Sequence, residues 1–106
     1  MQKAKIKSWI RNYAKILHKD CYEMEKNLGR MDNKTLDQYI DGEILFRDDG
    51  KNRLIFSFDG GLFDYFSYNS EFRMDEFTIP KLNEFLESLG CEWEYETHYS
   101  IIIYQY

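Results

Sequence analysis

From Ile6 to Leu28 the apolar residues Ile6, Ile10, Tyr13, Leu17, Cys21, Met24 and Leu28 recur at steps of 4, 3, 4, 4, 3 and 4. That spacing follows the 3.6-residue turn of an α-helix and is sustained for about six turns. Trp9 and Ile16 broaden the stripe, as suits a helix lying on a sheet rather than a narrow coiled-coil seam. Ile10 and Leu17 are expected in the core, and Gly29 supplies the left-handed backbone that ends the helix. The rest of the chain must then provide an apolar surface for this stripe to cover.

It does so by changing period. After the link Met31-Asp32-Asn33, Asn33 is placed to cap a short second helix over residues 34–40, which Gly42 stops. From Glu43 the period becomes two. Residues 43–48 and 53–58 read as strands joined by the turn Asp49-Gly50-Lys51-Asn52. Asp59-Gly60-Gly61 then turns into an expected third strand over 62–68, followed by a polar loop over 69–76. Thr78 is expected to cap a third helix with Pro80 in its first turn; Leu82, Phe85, Leu86 and Leu89 form its stripe, and Gly90 its stop. The tail CEWEYETHYSIIIYQY supplies two more strands turning near His98-Tyr99. Ile101, Ile102 and Ile103 are apolar on both parities, which places the last strand inside the sheet. The order α-α-β-β-β-α-β-β predicts an α+β two-layer domain, with helices packed on an antiparallel sheet of about five strands.

A chain of 106 residues, 43% hydrophobic and 18% aromatic, is one domain able to bury a single core. No apolar run approaches the ~20 residues of a membrane helix, and no unbroken apolar segment follows the basic N-terminus as export would require. The expected compartment is the cytoplasm. Cys21 and Cys91 are too few for a disulfide scaffold and are expected to be reduced, buried thiols.

Charge is distributed unevenly. Residues 1–34 carry nine Lys/Arg against four acids, the first of them Asp20, whereas residues 35–106 carry five against fifteen. A basic arm thus joins an acidic body, an asymmetry that bears on partners and encounter rates.

Three patterns are candidate sites. Glu92, Glu94 and Glu96 alternate along one strand, which puts three carboxylates on one face at ~7 Å intervals. Such side chains run parallel, whereas metal ligands must converge to ~2.0–2.6 Å from one ion, so no metal site is expected there. The remaining readings are a solvated sheet face, or mimicry of phosphates, which follow one another at ~7 Å along a nucleic-acid strand. Asp59, Asp64, Glu71, Asp75 and Glu76 extend the acidic surface, and Tyr65 and Tyr68 belong to a surplus of aromatics of the kind used at protein interfaces. Secondly, Lys3, Lys7, Arg11, Lys15 and Lys19 recur every four residues and form one basic ridge. The ridge is either an alternative phosphate-binding surface or an ordinary charged outer face; the acidic body would repel nucleic acid. Thirdly, His18, Cys21, Cys91 and His98 are of zinc-ligand type, but the cysteines read as small apolar residues, so no metal or other cofactor is expected.

No Ser/His/Asp order, phosphate loop or calcium loop is present. The expectation is a small, acidic, non-enzymatic interaction protein. It would bind and inhibit a larger partner with a basic surface, such as a nucleic-acid-handling enzyme, in the manner of anti-CRISPR-like anti-defence inhibitors of phage or immunity proteins. The rivals are a ligand-binding or enzymatic α+β domain with a pocket between sheet and helices, and a nucleic-acid binder using the basic helix.

Overall fold

The computed structural model describes residues 1–68 and 75–106. Helix α1 (Lys3–Asn27) is followed by α2 (Leu36–Asp41), the hairpin β1 (Ile44–Asp48) and β2 (Arg53–Phe58), and a 3-10 turn (Gly60–Leu62). Next come the single helical turn α3 (Phe63–Phe66), helix α4 (Thr78–Ser88) and the hairpin β3 (Glu92–Thr97) and β4 (Ser100–Tyr104). The four strands are antiparallel in the order β1-β2-β4-β3. The α+β class is therefore as expected, and the triple-isoleucine strand lies inside the sheet. The sheet has four strands rather than five.

The missing strand is 62–68. Asp59 turns the chain instead, its side chain accepting from Gly60 N (2.8 Å), and Leu62 N donates to Asp59 O (3.2 Å). Leu62 and Phe66, four residues apart, are then both fully buried while Asp64 between them is not, as a helical turn allows and a strand, which would carry all three to one side, does not. The segment Leu-Phe-Asp-Tyr-Phe satisfies both periods, and packing against Phe56 and Phe58 decides between them. The Phe66 ring stands 5.2 and 5.6 Å from theirs.

Two caps also differ from expectation. Thr35, not Asn33, caps α2, through a reciprocal box in which Gln38 N donates to Thr35 Oγ1 and Thr35 N donates to Gln38 Oε1. Asn33 instead has a φ of 66° in the linking turn. At α4 the capping oxygen belongs to Asp75, whose Oδ1 accepts from Phe77 N and Thr78 N, both at 3.1 Å. Thr78 is the first helical residue.

The core lies between the helices and one face of the sheet. Ile6, Ile10 and Ala14 of α1 and Leu82 and Leu86 of α4 pack with Leu54, Phe56, Phe58, Ile101 and Ile103. Helix α1, at 25 residues, is about 37 Å long, whereas strands of five or six residues reach only about 20 Å. Its stripe is consequently buried only over the sheet. Ile6, Ile10, Ala14 and His18 are buried and Leu17 is half-buried, but Met24 and Leu28 are exposed. Cys21, expected in the core, is exposed; Cys91 is buried, and both are free thiols.

Candidate interaction surface

Alternation along the strands determines what faces away from the helices. With Leu54, Phe56, Phe58, Ile101 and Ile103 inward, the intervening residues form an outer face. The register sets them in transverse rows. Arg53 pairs with Tyr104 and Tyr104 with Glu92; Arg47, Ile55, Ile102 and Glu94 form the next row; Leu45, Ser57, Ser100 and Thr97 form the third. Alternation keeps Glu96 on this face beside a register shift between Tyr95 and Thr97, and its Oε1 accepts from Ser100 Oγ (3.0 Å) and meets Arg47 Nη2 at 3.5 Å.

This face combines apolar and charged groups. Leu45 is 64% exposed and Tyr106 is 95% exposed, while Ile55 is buried outside the main core, beneath the side chains of its row. Tyr104 meets Tyr106 edge-on at 5.4 Å. Its hydroxyl is pushed up to about 12, first by desolvation and then by hydrogen bonding to Tyr106 and to the Glu92 carboxylate. The charge is polarised across the face. Glu92, Glu94 and Glu96 border it along β3, while Arg47, Lys51 and Arg53 stand on the β1–β2 hairpin, where Arg53 Nε binds Asp49 Oδ2 at 2.9 Å. Glu92 and Glu94 are exposed and form no ion pair among the described residues.

The other acidic and aromatic candidates lie elsewhere. Tyr68 rests edge-on against Tyr95 (4.7 Å), whose hydroxyl donates to Phe66 O in the helical layer. Tyr65 packs on the core and faces the His18 ring at 6.4 Å; burial, then Asp75, pushes its hydroxyl up. Asp64 belongs to the same short helix, Asp75 caps α4, and Glu76 is exposed just before that helix. Glu71 lies outside the described residues. The glutamate row thus lies on the outer face, whereas Tyr65, Tyr68 and Asp75 are engaged with the helical layer or its border.

The basic ridge is largely taken up within the molecule. Lys3 Nζ lies 3.2 Å from Asp48 Oδ1 and also donates to Gly50 O, Arg11 binds Asp41, and Lys15 binds Asp37. Lys3, then Lys7, holds the Asp48 carboxyl below its ordinary range. Lys7 and Lys19 form no ion pair among the described residues. The four zinc-type residues do not assemble: among the described residues no three His, Cys, Asp or Glu side chains are grouped to hold a metal ion.

His18 has a different role from the one its sequence neighbours suggest. Its Nε2 lies 2.9 Å from Glu43 Oε1, which also accepts from Leu62 N at 3.1 Å. The His18 side chain is 6% exposed and that of Glu43 12%. The pair ties α1 to the start of β1 and to the turn after β2. Gly61 is required there, because a Cβ would approach His18 Cε1 to 2.6 Å.

No helix among the described residues is long and apolar enough to cross a membrane. Comparison of the chain with protein-family models, curated proteins and solved structures finds no match.

Proposed function

We propose that this chain is a non-enzymatic binding protein that docks the outer face of its sheet onto a larger, basic protein surface and blocks it. The observation that carries this reading is the one-sided packing of the sheet. The described helices bury one face, while the other presents exposed Glu92 and Glu94 beside Ile102 and Tyr104, with Tyr106 next to Tyr104 and Leu45 at the opposite edge. Apolar and aromatic groups at the centre of a patch supply most binding energy once water is excluded. Charges at its margin accelerate encounter and set orientation. Here the polarity from the β3 carboxylates to the hairpin cations favours one orientation of a partner carrying the reverse pattern.

Carboxylates at strand spacing also match the ~7 Å repeat of a nucleic-acid backbone. A protein surface that normally holds phosphates, as on a nucleic-acid-handling enzyme, is accordingly the partner class this row fits. Three immobilised baits test the reading in lysate of the source cell: wild type, the triple variant Glu92→Lys, Glu94→Lys and Glu96→Lys, and a control with Lys19→Glu on the opposite layer. The reading predicts one protein retained by wild type and control, released by salt and not retained by the triple variant. Equal retention by all three baits, or none, would contradict it.

A further inference from the structure

Where β1 begins, β2 ends and β4 begins, the sheet end is hollowed into a cavity of about 530 Å³. Leu45, Ser57, Phe58 and Tyr99 line it together with Glu43 and Asp59. Leu45 and Tyr99 are 64% and 51% exposed, so the lining is open to an incoming group. The Glu43 carboxylate is engaged by His18 and Leu62 N, whereas among the described residues the Asp59 carboxylate accepts from Gly60 N and forms no ion pair. The cavity is continuous with the acidic margin. Ser57 is paired with both Leu45 and Ser100, and Ser100 Oγ donates to Glu96 Oε1.

An aromatic and apolar lining with an uncompensated carboxylate complements a side chain that has an apolar stem and a cationic head. Arginine suits it better than lysine, because a planar guanidinium stacks on an aromatic ring while its fork of donors meets a carboxylate. The volume falls within the ~300–1,000 Å³ of small-ligand pockets, ample for one such side chain with bridging water. We propose that this cavity receives an arginine side chain of the partner, its guanidinium lying on Tyr99 and paired with Asp59. The proposal rests on the outer-face reading for the existence of a basic partner, and names the residue that anchors it.

The probe is Nα-acetyl-arginine N-methylamide titrated into the full chain and followed by two-dimensional NMR. Saturable shifts are expected at the amides of Leu45, Ser57, Asp59 and Tyr99, with Kd in the millimolar range. The uncharged citrulline analogue should bind at least tenfold more weakly. Asp59→Asn, which keeps a side-chain oxygen for Gly60 N, should weaken arginine binding to a similar extent. Absence of saturable shifts, equal binding of citrulline or of the lysine analogue, or an unaffected Asp59→Asn variant would each overturn the assignment. The bait experiment reports on the glutamate row alone. Row-dependent capture without arginine binding would leave the outer-face reading standing and remove the anchor. Arginine binding without capture would do the reverse.

Discussion

Gly61 and His18 show how much at the residue scale depends on contacts that no local pattern announces. A methyl group at position 61 would collide with an imidazole held by Glu43, so the ring has little freedom to retreat. Gly61→Ala should cost about 1–3 kcal/mol, the usual effect of overpacking, measured by urea denaturation. A neutral substitution would show that His18 is not held in place. Tyr39 lies edge-on to the same imidazole at 5.4 Å, and burial, then the Glu43 charge, pushes its hydroxyl from 10.0 up to about 12. A raised folded-state value means that the neutral phenol is favoured by folding. Its contribution is complete below pH 10 and is lost as pH rises through about 12. Wild type should therefore lose stability across that window, and Tyr39→Phe should lose less, the remainder including Tyr104. Identical losses in denaturation at either end of the window would dissociate Tyr39 from the effect. Sequence reading placed His18 among possible zinc ligands because a buried His–Glu pair has no spacing signature: its partners are 25 residues apart in the chain. The lysine ridge was legible as a ridge, but its neutralisation by Asp37, Asp41 and Asp48 depends on how α2 and the hairpin lie beside α1.

At the scale of elements, α1 separates what periodicity reveals from what it does not. Its helical state follows from the stripe alone, but the burial of that stripe depends on the sheet being shorter than the helix. Ile10→Ala should cost ~2–5 kcal/mol, as for other buried large-to-small changes. Leu17→Ala should cost less, since Leu17 is only partly buried. Met24→Ala should fall within ~0.5 kcal/mol because the side chain is exposed. The same loss at all three positions would mean that the overhang is covered. Thr35→Ala should remove about 1 kcal/mol through loss of the α2 capping box. The hairpins, α4 and the interior position of β4 were legible because alternation, glycine stops and the triple isoleucine each admit one assignment. The segment 62–68 was not, because its apolar residues fit a strand and a helical turn equally until Leu62 and Phe66 pack inward without Asp64 between them.

For the whole molecule, the decisive property is that its layers are unequal. The described helices shield one face of the sheet, and the glutamate row recognised from its alternation lies on the other. Asp64, Tyr65, Tyr68, Asp75 and Glu76 were grouped with that row by composition, yet they serve the helical layer or its borders. The sidedness of β3 was legible in that alternation, since Trp93 and Tyr95 pack against the core cluster and leave the carboxylates to solvent. Reversing those carboxylates should leave folding almost intact, since exposed substitutions usually change stability by no more than ~0.5 kcal/mol. Exposed charges are screened within ~8 Å at physiological ionic strength, so binding through them must weaken with salt. Docking through the outer face is decided by the affinity of the captured partner for wild type and for the Glu92→Lys, Glu94→Lys and Glu96→Lys triple variant, at low and high salt. The account predicts wild-type binding that weakens steeply as salt rises, and a triple variant that is folded but does not bind at either salt. Equal affinities with no dependence on salt would contradict it and leave the row a solvated face.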